Sequence, residues 1–354
     1  HVEIRRQIAL AGRSLAQSNP EDGRLFVRGG DARESQIYID GLRVFSPYSR
    51  TIGGTPSRGR YSPMLFKGVS FSTGGYSAGF GQALSGVLDM NTIDQPTDTE
   101  TNISLMSLGV GLGHTMLGDR QSLSINTSYI NLGGYNLIYP GRADWIKPYR
   151  GFSGEAVYRY KTQNGLFKSY WALDNGSFSL NQNDINTNQP QQIAIKNNNW
   201  YGNSTYRTTI GDQHSFYWGL SVGRNSDFFN LEDQQDIDQQ LNGWHTRLGM
   251  KTIVKDHFIL NYGLDWYQQT DNFLNHSNTE ELIIENEVQR SISSAFVESD
   301  YFLSKDLAIK AGLRVEHHSI TDEVQLSPRL TLAQRLGNQG QISLGYGQFY
   351  QEVD

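Results

Sequence analysis

The sequence predicts a mainly β protein: a transmembrane antiparallel β-barrel preceded by a small mixed α/β domain. Three observations carry that expectation. From about Thr99 onward, polar and apolar residues alternate with a period of two, the strand period. Tight turn signals and long polar stretches follow one another in a regular order along the same region. Between the two regions lies Lys67 to Thr92, with glycines at 68, 74, 75, 79, 81 and 86, where backbone can turn sharply and run close to backbone.

The first ninety-odd residues read as a compact sheet with long exposed loops. Val2 to Gln17 is a weak helical pattern with Ile4, Ile8 and Leu15 on one side. Asn19 to Gly23 is turn chemistry, and Leu25 to Val27 is a short apolar run. Gln36 to Ile39 alternates, Asp40-Gly41 is a hairpin turn signal, and Leu42 to Val44 returns. Ser46 to Pro63 is irregular, basic and glycine-rich, and Val69 to Phe71 and Val87 to Met90 are short strand-like pieces. Alone, such a piece has a thin core.

The alternating region supplies the barrel. Leu123, Ile125, Thr127 and Tyr129 oppose Ser124, Asn126 and Ser128. Phe258, Leu260, Tyr262, Leu264 and Trp266 oppose Asn261, Gly263 and Asp265. Leu307, Ile309, Ala311, Leu313 and Val315 oppose Lys310, Gly312, Arg314 and Glu316, while Leu248 and Met250 oppose Arg247 and Lys251. Short turns are expected at 118–119, 164–165, 211–212, 255–256, 305–306 and 337–340. Long loops are expected at 134–150, 175–199, 225–240, 268–289 and 317–325. That asymmetry marks an outer-membrane barrel, here with about twelve strands, the first near Asn102 and the last near Gly340. Aromatic residues near strand ends, among them Trp171, Trp218, Trp266 and Tyr301, suit interfacial girdles.

Composition narrows the function. The 354 residues carry a net charge of −6 and no cysteine, which excludes disulfides and Cys-ligated metal and argues against nucleic-acid binding. No apolar run approaches the roughly 18 residues of a membrane helix. Gly75-Tyr76-Ser77-Ala78-Gly79 matches the G-x-S-x-G elbow of serine hydrolases, but no helical pattern follows Ser77, so a turn is expected and no catalytic residue is assigned. His317 and His318 fall on opposite strand faces, and Asp184, Asn186 and Asn188 lack the glycine and terminal glutamate of a calcium loop. No metal or cofactor site is expected, and the chain does not read as an enzyme. Tyr135, Tyr139, Arg142, Trp145, Lys147, Tyr149 and Arg150 share one aromatic and basic stretch. Such residues stack on sugars or hold anionic chelates, and equally anchor a lipid interface. Strand parity places Glu298 and Glu316 on the lumen face.

Arg28-Gly29-Gly30, Tyr38 to Val44 around Asp40-Gly41, and Gly74-Gly75-Tyr76-Ser77-Ala78 through Gly81-Gln82-Ala83-Leu84-Ser85-Gly86-Val87 resemble the plug domain of TonB-dependent outer-membrane receptors of the Bacteroidetes type. Ser327 to Leu330 and Gly345 to Gln351 are similar to barrel strands of the same group. The resemblance implies a plug at residues 1–96 inside a barrel that starts at 97. It also implies about 22 barrel strands in all, so the chain reads as a piece of a longer receptor, with an open wall and without the TonB-contacting box. It implies energised uptake of a scarce ligand (siderophore, haem, cobalamin or oligosaccharide) driven by a TonB-type partner, in contact with outer-membrane lipid. It further implies that plug cations Arg28 and Lys67 face barrel glutamates Glu298 or Glu316. A passive porin or adhesin-like barrel, or a soluble carbohydrate-binding β protein, are the alternatives.

Overall fold

The structure, a computed structural model, describes residues 27, 30–49, 59–139, 144–183, 189–231, 235–277, 282–336 and 340–352. The helix expected over Val2–Gln17, residues Arg28, Gly29 and Arg142, and the loop Asp184–Asn188 lie outside the described residues.

Two sheets account for the chain. The small one has order β2-β1-β4-β3, from β1 (Ser35–Ile39), β2 (Leu42–Arg43), β3 (Phe66–Ser72) and β4 (Gly86–Thr92). β1 and β2 form the hairpin that Asp40-Gly41 signals: both turn residues have positive φ, 54° and 86°, as a type I′ turn requires. β4 lies parallel to β1 and antiparallel to β3, so the glycine-rich stretch 73–85 is the connection between β3 and β4. Single 3-10 turns at Ala32–Glu34 and Pro63–Leu65 precede β1 and β3.

The large sheet has thirteen strands in sequence order, each antiparallel to its neighbours. They are β5 (Glu100–Met106), β6 (Gly109–Leu117), β7 (Gln121–Asn131), β8 (Asp144–Lys161), β9 (Gly165–Asn183), β10 (Pro190–Ile210), β11 (His214–Leu231), β12 (Gln235–Lys255), β13 (Phe258–Ser277), β14 (Leu282–Phe302), β15 (Leu307–His318), β16 (Glu323–Leu336) and β17 (Gly340–Gly347). A short helix, α1 (Gly133–Ile138), follows β7. β5 and β17 are its edges and do not pair with each other among the described residues, so the wall is open.

Two expectations are corrected here. The strand expected to start near Asn102 is two strands, β5 and β6, joined by the two-residue turn Ser107-Leu108, which carries no turn signature. The polar stretches 175–199, 225–240 and 268–289 are mostly strand rather than loop, because β9 to β14 run for 18 to 21 residues. At about 3.3 Å per residue such strands reach roughly 65 Å, and even at a tilt of 45° they exceed a hydrocarbon band about 25 Å tall. Beyond that band the outer face no longer meets hydrocarbon. The backbone ladder persists while the apolar alternation that betrays a strand weakens.

Burial is inverted relative to a water-soluble sheet. Leu264 is 57% exposed, and Leu248, Leu313 and Trp266 also face outward. On the opposite face Arg247, Asp265, Arg314 and Glu316 are buried. Trp244 and Trp266 pack edge to face on the outer side, ring centroids 4.7 Å apart. The small domain covers the polar face. Its buried residues Ile37, Ile39, Val44, Leu65 and Phe66 cluster with Val157, Tyr170 and Tyr201 of the wall.

Candidate functional site

The contact between the small domain and the wall is where charge is concentrated. Among the described residues, three groups of side chains stand out in it.

The first is built on the β1–β2 turn. Asp40 is fully buried and accepts hydrogen bonds from the Thr92 N–H (3.1 Å) and hydroxyl (2.6 Å), which tie the turn to the end of β4. Lys168 of β9 donates to the same carboxylate at 2.6 Å, to the Thr92 carbonyl at 3.2 Å, and pairs with Asp94 at 3.0 Å. Partial burial opposes ionisation of Asp94, but the ammonium groups of Lys67 and Lys168 hold its carboxyl below the ordinary value. Asp89 accepts the Gly41 N–H at 3.2 Å, and burial pushes its carboxyl up.

The second group grips the glycine-rich connection. Arg247 donates to the carbonyls of Gly41 (2.7 Å) and Gly79 (2.5 Å), and Arg314 to those of Ala78 and Gly79 (3.4 Å each). Arg329 donates to the carbonyls of Tyr76 (3.3 Å), Ser77 (2.5 Å) and Phe80 (2.9 Å). Between Arg247 and Arg314 sits Asp265, accepting from Nε of the first (2.5 Å) and Nη1 of the second (2.8 Å). Glu298 accepts the Ser77 hydroxyl (3.0 Å) and the Ala78 N–H (2.7 Å), and Glu316 accepts the Gln82 side-chain amide (3.2 Å). The wall therefore reads main-chain groups, which only a loop poor in side chains leaves open. Gly81 shows why: a Cβ there would lie 2.5 Å from Glu316 Oε1 and 2.6 Å from Arg314 Nε. Tyr38 donates to the Gly81 carbonyl at 3.0 Å, and burial raises its phenol so that it stays a neutral donor.

The third group surrounds Arg60. Its guanidinium donates to Asp174 (2.6 Å), Asn197 (2.7 Å) and Asn225 (3.0 Å) of the wall and to the carbonyls of Ser46 and Tyr48. Above it a cavity of about 250 Å³ opens between Arg43, Phe45 and Tyr48 of the small domain and Asp227, Leu241 and Gln269 of the wall. Arg43 lies over the Tyr267 ring at 4.3 Å, and Phe45 stacks on the same ring. Farther up the same face, Phe178, Leu180, Ile193 and Ile195 form an apolar patch joined by Trp145 and Tyr149. Register shifts in β8 at 145–147 and 147–150 mark where its ladder bends.

The expected site residues fall as follows. Glu298 and Glu316 both touch the small domain; among the described residues they do so through Ser77, Ala78 and Gln82. Lys67 is a correction: it pairs with Asp94, because β3 is the edge strand of the small sheet and the carboxylate within its reach is the one that Lys168 of the wall also holds. Gly30, Ser85 and Glu34 meet below β1, where the Ser85 hydroxyl donates to Glu34. Gly74 and Gly75 have positive φ, and Gly86 opens β4 opposite Ser35. Trp145 and Tyr149 join the inner apolar patch, whereas Tyr135 and Tyr139 pack on each other at α1, centroids 5.0 Å apart. Sequence reading missed Arg60, Lys168, Arg247, Asp265, Arg314 and Arg329 as contacts. Their signal was there: all the wall members sit at lumen-face positions of strong alternating strands.

This arrangement defines a β-barrel wall of the outer-membrane type, with a small domain docked on its lumen face as a plug. Solved structures share that fold. The siderophore receptor PirA from Pseudomonas aeruginosa matches with a TM-score of 0.63 and 16% identity over 93% of this chain and 56% of that chain. The outer membrane transporter YddB from Escherichia coli matches at 0.66 and 12% identity, covering 93% and 55%. The Serratia marcescens hemophore receptor HasR, solved with its hemophore and heme, matches at 0.66 and 15% identity, covering 90% and 56%. The chain thus spans about half the length of these proteins. The fold they share is the one that the resemblance to TonB-dependent receptors implies. No protein-family model matches the chain, and no curated protein sequence does.

Proposed function

We propose that the full-length protein is a plug-gated uptake receptor of the Gram-negative outer membrane, energised by a TonB-type partner. The observation that carries this is the way the plug is held. Barrel arginines and glutamates grip the backbone of a glycine-rich connection, Gly74 to Gly86, at Tyr76–Phe80. Polar contacts of this kind hold the plug against thermal motion, yet each exchanges for a water contact when the plug is pulled, at a net cost of about 1.5–3 kcal/mol for a hydrogen bond to a charged group. A passive porin has no use for such a grip. The cavity beside Arg43, Tyr48 and Gln269, with the Trp145–Phe178 patch above it, suits a ligand with both polar and planar apolar groups. Siderophores and haem fit that description best. Cobalamin and oligosaccharides are the remaining classes.

The test uses the full-length protein in cells. Ala78→Cys and Gly312→Cys place thiols at positions whose Cβ atoms nearly touch, with Gly79 able to yield the ångström that a disulfide needs. Oxidation is expected to stop uptake of iron chelates or haem while leaving their binding intact, and reductant to restore it. Deleting the TonB-type partner is expected to do the same. Uptake that persists through both treatments contradicts the proposal.

A further inference from the structure

The wall changes height abruptly between two neighbouring strands. β14 has 21 residues and β15 has 12. Their ladder runs only from Ile292↔His318 to Phe302↔Ala308. It is closed at the top by the Ser319 N–H donating to the Ser291 carbonyl (3.0 Å) and the Ser291 N–H donating to the Ser319 hydroxyl (2.8 Å). Above that point Leu282 to Arg290 stays paired with β13 on one side, from Ser277↔Leu282 to Gln269↔Arg290. Among the described residues no strand pairs with its other side. The neighbours in that direction are also short, with 14 residues in β16 and 8 in β17.

Antiparallel geometry fixes which main-chain groups line the vacant side. Each residue points its N–H and C=O toward the same neighbour, and successive residues alternate. Ser291 points both toward β15. Ile283, Glu285, Glu287 and Gln289 therefore present theirs to the vacant side, a row of four donors and four acceptors. Such a row is a template for an added strand.

The side chains decide which strand. Leu282, Ile283 and Ile284 are exposed apolar residues at the tip, and Glu285 and Glu287 below them are exposed on the outer face. A second copy pairing antiparallel about Asn286 sets Glu285 against Glu287 and Glu287 against Glu285, and like charges directly opposite are destabilising. Self-pairing is disfavoured, and cations opposite the same two positions are favoured. We infer that this edge of β14 is a docking site for an extended polypeptide segment of a partner protein, with Lys or Arg opposite Glu285 and Glu287 and apolar residues on the alternate face, opposite Ile284 and Val288.

The test uses the full-length protein in detergent. The probe is a fluorescent peptide of roughly nine residues alternating lysine and valine, with a glutamate–valine peptide as its counterpart. The lysine peptide is expected to bind, more weakly as salt is raised. Glu287→Pro or Gln289→Pro removes a donor that the β13 ladder does not use. Losing one or two net hydrogen bonds is expected to weaken binding about five- to thirtyfold, with unchanged heat-modifiable migration of the barrel. Glu285→Lys with Glu287→Lys is expected to reverse the preference in favour of the glutamate peptide. In the peptide-free protein, the amides of residues 283, 285, 287 and 289 are expected to exchange with solvent faster than those of 284, 286 and 288. The inference is overturned if neither peptide binds, if the proline and charge variants bind as the wild type does, or if those four amides are already protected.

Discussion

The Asp40–Lys168 pair offers the sharpest test of how the plug is seated. The two side chains are 0% and 2% accessible and 2.6 Å apart, one from the plug and one from the wall. Removing one partner of a buried, hydrogen-bonded ion pair costs about 3–5 kcal/mol, because the survivor is left charged and dry. Asp40→Asn leaves Lys168 with Asp94 at 3.0 Å and the Thr92 carbonyl at 3.2 Å, so its effect is expected at the low end, about 3 kcal/mol. Lys168→Met leaves the Asp40 carboxylate with Thr92 alone and is expected to cost more, about 4 kcal/mol. The double variant has no orphan charge, so its cost is expected to fall short of the sum by about 3 kcal/mol. The six tryptophans of these 354 residues, at 145, 171, 200, 218, 244 and 266, all lie in the wall, so none of them reports from inside the small domain. Hydrogen exchange of the β1 and β4 amides in the full-length protein measures plug opening directly. Effects that add within about 0.5 kcal/mol, or single costs below about 1 kcal/mol, refute the reasoning.

Further outcomes follow from the same geometry. Gly81→Val is expected to loosen the plug by about 1–3 kcal/mol, as seen in β4 exchange, because its Cβ meets Glu316 and Arg314. Gly68→Ala, with nothing within 4 Å of its Cβ, is the matched control and is expected to change little. Asp89→Asn is expected to slow plug opening at neutral pH and to lose that advantage in acid. Burial raises the folded-state value of Asp89 above 3.8, so the native carboxyl favours folding below 3.8 and loses that contribution as pH rises through the raised value. The neutral amide avoids that loss. Asp94 works in the opposite sense: its lowered value means that its contribution is present above 3.8 and is lost as pH falls below it, so Asp94→Asn is expected to flatten the acid limb of the opening curve. Leu264→Arg on the outer face is expected to destabilise the barrel in lipid by about 2–4 kcal/mol if it lies near the bilayer midplane, as bilayer refolding measures.

Much of this molecule is legible in its residues, for identifiable reasons. Asp40-Gly41 specifies its turn because few other pairs accept positive φ twice. Leu260, Leu264 and Leu313 mark the outer face because the strand period is two and lipid tolerates no charge there. The same parity correctly turned Arg247, Arg314, Glu298 and Glu316 inward. Ser107-Leu108 escaped notice because a tight hairpin needs only the right backbone angles, which these two residue types do not announce. The overhangs of β9 to β14 escaped because above the membrane the outer face has no reason to be apolar, and the inner apolar residues Phe178, Leu180, Ile193 and Ile195 sit among polar stretches that read as loop. The docking contacts were the least legible. They run largely from side chains to main-chain carbonyls, as from Arg329 to Ser77, and a carbonyl has no letter in a sequence. Lys67 was assigned by its place in a motif, but its strand is an edge and it found Asp94 instead.

The account stands on which face of the wall meets lipid. These 354 residues contain no cysteine, so a single introduced cysteine can carry the only nitroxide in this part of the chain. In the full-length protein reconstituted in bilayers, nitroxides at positions 248, 264 and 313 are expected to collide far more often with dissolved oxygen than with an aqueous nickel complex. Nitroxides at Asn199 and Ser327, on the plug side, are expected to be shielded from oxygen. The opposite pattern, with nickel reaching Leu264 and oxygen reaching Ser327, contradicts the account.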